Sequence, residues 1–220
     1  LTRLSNDITP VQIGNRNQFN EFCPINAPVR NYDLTAVLAN QALSKPAGVT
    51  IPPNVRPTDN LGGPLNPNGG TLVYNPRDAL AEFQGPLHDP TAILYVRTGD
   101  LDASGKLKPG VPVEPVVLRA AAGDCVQVTL RNRLPAVLPD LAGYNTLLQM
   151  VLRDRNDPQG VTTFNNNLIR PSSHVGLHPQ LVAYNIASSD GTNVGRNATV
   201  QTVAPGGVST YRWYAGDVKL

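Results

Sequence analysis

The stretch Gly123-Asp124-Cys125-Val126-Gln127-Val128-Thr129-Leu130-Arg131 carries the clearest structural signal in this chain. Val126, Val128 and Leu130 alternate with Gln127, Thr129 and Arg131, the period-two pattern of a strand with one buried and one wet face. Gly123-Asp124 opens it as a turn, and the run from Arg133-Leu134-Pro135 to Pro139 closes it, since proline supplies no ladder donor. The same period recurs upstream in Arg30 to Leu38, with Tyr32, Leu34, Ala36 and Leu38 on one face, and in the short apolar runs Ala92 to Val96 and Pro115 to Arg119. Downstream, Ala198 to Val203 predicts a strand and Pro205-Gly206-Gly207 a tight turn. Ser209 to Tyr214 predicts a last strand, Tyr211 and Trp213 facing away from Thr210, Arg212 and Tyr214. Short strands divided by turn signals predict an all-β domain, a Greek-key β-sandwich.

Around this frame the chain divides unevenly. Residues 1–30 show weak periodicity and predict an N-terminal arm, leaving 31–220 as the domain. Within it, 45–70 is a Pro/Gly-rich excursion, with Pro52-Pro53, Pro57, Gly62-Gly63-Pro64 and Asn66-Pro67-Asn68-Gly69-Gly70 excluding a central strand or a helix. The 220 residues can bury a substantial core, and 19 glycines with 21 prolines suit many turns better than a helical bundle. Eighteen Lys and Arg are spread among 16 Asp and Glu, so no basic stripe for nucleic acid or acidic lipid stands out. No stretch approaches the roughly 20 apolar residues of a membrane span. The lack of a starting Met or a charged-then-apolar leader reads as a mature or excised piece.

Candidate chemistry is sparse. Cys23 and Cys125 are either a long-range disulfide, as an even count in an exported domain favours, or a buried free thiol at Cys125 and an unrelated Cys23. Asp100, Asp102 and Ser104, followed by Gly105, match the opening of a calcium loop, but Val111 stands where a bidentate Glu belongs; the competing reading is a hairpin turn capped by its own side chains. His174 and His178 are the two close imidazoles and hence the candidate metal ligands. On an extended strand they share a face but lie roughly 13 Å apart at about 3.3 Å per residue, so joint ligation needs a bend. A structural, hydrogen-bonding histidine is the alternative for each. His88 reads as a solvated loop residue. No nucleophile elbow, phosphate loop or zinc-helix motif is present.

Two segments together resemble the multicopper oxidases, the family of laccases, ceruloplasmin and bacterial manganese oxidases. Pro115 to Arg119 followed by Ala122-Gly123-Asp124 and Cys125 to Asn132 is similar to the strand pair that opens their cupredoxin domains. Leu177-His178-Pro179-Gln180, then Asp190-Gly191, then Pro205-Gly206-Gly207 with Tyr211-Arg212-Trp213, resembles their His-x-His strand, Asp-Gly loop and Pro-Gly turn before an aromatic strand. The resemblance covers about residues 90–216. The arm and excursion are more similar to the elaborated domains of large bacterial copper oxidases.

The resemblance implies a cupredoxin-like sandwich outside the cytoplasm, whether secreted, periplasmic or at the cell surface. It implies a parent enzyme that oxidises an organic or metal-ion substrate and reduces dioxygen with copper, and a copper ligand at His178, with His174 as its neighbour. Gln180, however, stands where the second histidine of the pair belongs, and neither cysteine matches the copper cysteine. The expected role is therefore scaffold and interdomain surface, with the remaining domains or chains of the same oxidase as partners. The different-class alternative is a degenerate cupredoxin serving as a binding module without redox activity. An end soon after Tyr214 further predicts missing final strands and association through an exposed sheet edge.

Overall fold

The computed structural model describes residues 22–51, 62–80, 83–139, 150–153, 161–164, 172–193 and 199–216. Its strands are β1 (Val29–Leu38), β2 (Leu72–Asn75), β3 (Ala79–Leu80), β4 (Phe83–Gln84), β5 (Leu87–Asp89), β6 (Ile93–Arg97), β7 (Cys125–Asn132), β8 (Met150–Arg153), β9 (Val161–Phe164) and β10 (Val208–Tyr214). Two single helical turns, α1 (Ala39–Ala42) and α2 (Ile186–Ser189), and a 3₁₀ turn at Thr98–Asp100 complete the described elements. The fold is β-rich, as the turn-punctuated sequence requires. No described helix is long and apolar enough to cross a membrane.

The four strands with the cleanest alternation form one sheet, in the order β10-β7-β1-β6. β1 and β7 run parallel at its centre, from Val29 opposite Cys125 to Ala36 opposite Asn132, while β6 and β10 flank them antiparallel. The chain therefore leaves β6 on one side of β1 and crosses to β7 on the other, a connection no hairpin can make. One sheet face carries Leu34, Ala36, Leu38, Val126, Val128, Leu130, Tyr211 and Trp213 into the main core. Val116, Leu118, Leu134, Leu138, Val175, Leu177, Val182, Tyr184 and Val203 pack over them. The opposite face is split. A small apolar cluster of Val37, Ala42 and Leu101 lies at one end, and Asp33 takes Arg131 and the Thr98 hydroxyl further along.

Two expected strands are corrected. Pro115–Arg119 joins no ladder among the described residues, and side chains take its backbone groups instead: the Tyr32 hydroxyl donates to Arg119 O (2.5 Å) and accepts from Arg119 N (3.0 Å), and the Arg97 guanidinium donates to Val117 O (3.2 Å). The described part of Ala198–Val203 makes only one bridge, Val175 with Val203.

The described parts of the 45–70 excursion hold no strand or helix. Buried Asn40 pins them, its side-chain amide donating to Asn66 O and Gly70 O and its Oδ1 accepting from Asn66 N. Of the arm, 1–21 lies outside the described residues. Residues 22–28 lead into β1, which starts two residues earlier than the arm boundary predicted, and Cys23 forms a disulfide with Cys125. That excludes the free-thiol reading.

The sheet edge expected to lie open after Tyr214 has partners at the C-terminal end of β10. Tyr214 and Ala183 exchange two backbone hydrogen bonds (2.8 and 3.0 Å), and Arg212 N donates to Ser189 Oγ (3.2 Å). At the other edge, β6 has β1 as its ladder neighbour among the described residues.

Candidate functional site

His178 sits between two anchor points, the Val175–Val203 bridge and the Ala183–Tyr214 bridge. Residues 176–182 between them are irregular, not the strand expected for the His178–Gln180 pair, and Leu181 has φ 60°. The period-two argument for placing residues 178 and 180 on one face therefore does not apply. What holds the segment is close backbone packing: a Cβ added at Gly176 would run into the Gly191 carbonyl oxygen, and one at Gly191 into that of Leu177. Gly191 also has φ +73°, which glycine adopts without strain.

This packing brings Asp190 to His178. The His178 Nδ1 lies 3.1 Å from Asp190 O and 3.2 Å from Asp190 Oδ1. Both neighbours are acceptors, so Nδ1 carries the proton, and in the neutral ring Nε2 keeps its lone pair. The His178 side chain is 45% exposed and the Asp190 side chain 14%. Tyr184 donates to Asp190 Oδ1 (3.0 Å), its ring lying edge-on to the His178 ring, and Thr192 donates to Asp190 Oδ2. The Thr192 hydrogen bond, opposed by partial burial and aided by Tyr184 and by charge on His178, holds the Asp190 carboxyl below the usual carboxylate range. Burial, with the Asp190 carboxylate beside it, pushes the Tyr184 hydroxyl up.

Beneath this cluster lies Gln201, buried and invisible to motif reading. Its Oε1 accepts from Asp190 N (2.7 Å) and Gly191 N (3.2 Å), its Nε2 donates to Ile186 O (2.6 Å), and its carbonyl accepts from the Tyr211 hydroxyl (2.7 Å). Asn132 does similar work at the end of β7. Its Nδ2 donates to Ser173 O and Val203 O, both at 2.8 Å, and its Oδ1 accepts from Leu134 N (2.9 Å). An amide at the last position of an apolar strand was the available signal, since a buried amide must find partners on both sides.

The other candidates fall elsewhere. His174 is exposed, its backbone N–H donating to Ser172 Oγ, and no hydrogen bond or ion pair joins it to His178 among the described residues. Those residues contain no group of three or more His, Cys, Asp and Glu able to hold a metal. His88 is not a solvated loop residue: it lies on β5, half-buried, with Nδ1 2.9 Å from the Thr71 hydroxyl. In the 100–105 loop, Asp102 Oδ1 accepts from the Ser104 hydroxyl and Lys106 N, while Lys108 Nζ reaches Gly99 O. The carboxylate serves the turn's own donors, as the hairpin reading requires. Leu177, next to His178, lines an apolar cavity of 400 Å³ that adjoins one of 590 Å³, with Pro112, Glu114, Pro115 and Val116 bordering both.

No protein-family model matches this sequence, and no curated protein matches it. The functional reading therefore rests on the residues themselves.

Proposed function

We propose that this chain is a cupredoxin-type, Greek-key sandwich domain of a multicopper oxidase. Its parent would oxidise an organic or metal-ion substrate in one-electron steps and reduce dioxygen, with this part supplying scaffold, interdomain surface and one copper ligand. The observation that carries the reading is His178, whose Nδ1 is tied to Asp190 while Nε2 makes no hydrogen bond among the described residues and would be free to take a metal. A histidine that donates its other ring proton to a carboxylate or carbonyl is the usual form of an imidazole metal ligand. Copper would supply one-electron redox chemistry there; this chain's residues orient the imidazole and hold its proton at Nδ1. The parallel β1–β7 pair between antiparallel neighbours supports a Greek-key crossing, and the Cys23–Cys125 disulfide supports an oxidising, extracytoplasmic setting.

One imidazole does not make a tight copper site, and further ligands must come from other parts of the oxidase. Gln180 favours the second reading, a degenerate domain without redox activity. Calorimetric titration with Cu(II) tests between them. The unmodified chain should bind copper weakly, His178→Ala should remove that binding, and His174→Ala should leave it. Asp190→Asn should weaken it about 10- to 100-fold by loosening the ring. Copper binding that survives His178→Ala but is lost on His88→Ala would sink the proposal.

A further inference from the structure

β6 is the outer strand of its sheet, and the chain around it is described without a break from residue 87 to 139. Its side chains alternate, Ile93 and Tyr95 packing against the main core and Leu94 and Val96 against the small cluster on the opposite face. All four line the 400 Å³ cavity. A space that touches both faces of one strand lies beyond its edge, and the other edge of β6 is filled by β1. The cavity is therefore a vacant strand position. Its walls are completed by Leu118 and Leu177 on the main-core side and by Leu107 on the other.

Backbone direction gives that position its chemistry. Ala36 turns its carbonyl toward β7, where it accepts from Arg133 N (2.9 Å). Alternation then turns Thr35 and Val37 toward β6, onto their register partners Val96 and Leu94. Ile93, Tyr95 and Arg97 accordingly direct their N–H and C=O groups outward, and none of these groups has a hydrogen-bond partner among the described residues. Free edges are ordinarily blunted by lysine, proline or a bulge, and Ile93-Leu94-Tyr95-Val96 carries none of these. The nearby 111–119 segment borders the cavity without filling it. Pro112 and Pro115 have no N–H to donate, while Val117 O and both backbone groups of Arg119 are taken by the Arg97 and Tyr32 side chains.

We infer that the β6 edge accepts one extended strand of another polypeptide, added by main-chain pairing. The centre of that strand is apolar on both faces, because side chains pointing to either side of the sheet meet apolar walls, so the segment is a short run of β-branched residues or leucines. At the Arg97 end the adjoining 590 Å³ cavity has Asp100, Glu114 and Arg119 in its wall, and there the strand turns polar. A small apolar ligand would satisfy the walls but leave the outward groups of Ile93, Tyr95 and Arg97 unpaired. The inference does not rest on the copper reading.

Arg97 supplies the test. Its φ of −66° is the value that proline imposes and its N–H points outward, so Arg97→Pro removes one edge donor without straining the backbone. Arg97→Ala is the control, losing the same guanidinium contacts to Val117 O and the Tyr32 ring while keeping the N–H. The probe is the blocked peptide Thr-Val-Ile-Val-Thr-Ser, titrated into the whole chain by calorimetry, with amide exchange followed by NMR. The peptide should bind and slow exchange at Ile93, Tyr95 and Arg97, and the amides of Leu94 and Val96, already turned toward β1, should change less. Arg97→Pro should raise the dissociation constant at least about fivefold relative to Arg97→Ala, the worth of one hydrogen bond. No binding up to about 1 mM peptide, equal affinity in the two variants, or protection confined to other amides would each overturn the inference. A dimer of the unliganded chain in sedimentation velocity that Arg97→Pro dissociates would give the edge to a second copy and overturn the choice of partner.

Discussion

Reducing the Cys23–Cys125 disulfide is expected to lower the unfolding free energy by roughly 3–5 kcal/mol, the largest single effect in this chain. The bridge joins residues 102 apart, with a Cα–Cα distance of 5.8 Å. In the chain-entropy account, closing a loop of about 100 residues removes about 4.7 kcal/mol of freedom from the unfolded state. In the native state the bridge ties residues 22–28 to the first residue of β7, beside the point where Cys125 N donates to Pro28 O (2.8 Å). Cys23→Ser is the cleaner variant, because Cys125 is buried and a serine there would add a buried hydroxyl. For a domain of this size the loss corresponds to a fall of roughly 10 °C in the melting temperature. Calorimetry with and without reductant measures it, and a shift under about 2 °C would show that the arm contributes little.

Asn132→Leu should be the most damaging single substitution of a polar side chain, costing about 3 kcal/mol or more. Asn132 is 1% exposed, so water does not replace what is lost. Ser173 O and Leu134 N lose their Asn132 partner, while Val203 O retains Val175 N (3.1 Å). By contrast, Arg131→Ala removes an ion pair to Asp33 whose two side chains are 43% and 46% exposed. Such a pair is worth at most about 1 kcal/mol. Urea denaturation of the two variants should therefore rank residue 132 well above its neighbour 131. Equal losses would mean that the Asn132 contacts do not hold the 173 and 203 segments in place.

The sheet was legible because its strands are half-buried and therefore alternate. β1, β6, β7 and β10 all appear within one or two residues of their expected ends, with Leu34, Val128 and Tyr211 on the side their period assigns. Pro115–Arg119 has the same local preference but no ladder, since pairing depends on a neighbour that composition does not specify, and here Tyr32 and Arg97 side chains take the neighbour's place. The disulfide lay beyond sequence reasoning for a similar reason: it is a distance, and two isolated cysteines do not state one. In the site, His178 and the Asp190-Gly191 turn could be singled out by type. The contact between them could not, because it is made by Gly176 and Gly191 packing backbone to backbone. Gln201 carried no signal at all, being an amide in a stretch that reads as a strand.

Asp190 holds His178 through Nδ1, and among the described residues Nε2 makes no hydrogen bond; the proposed copper role depends on that arrangement. Long-range proton–nitrogen correlation NMR reads the tautomer directly. The account predicts the Nδ1–H form for His178, shifting toward a mixture in Asp190→Asn, and Cu(II) broadening the His178 ring signals before those of His88 and His174. An Nε2–H tautomer at His178, or broadening that begins at His88, would contradict it.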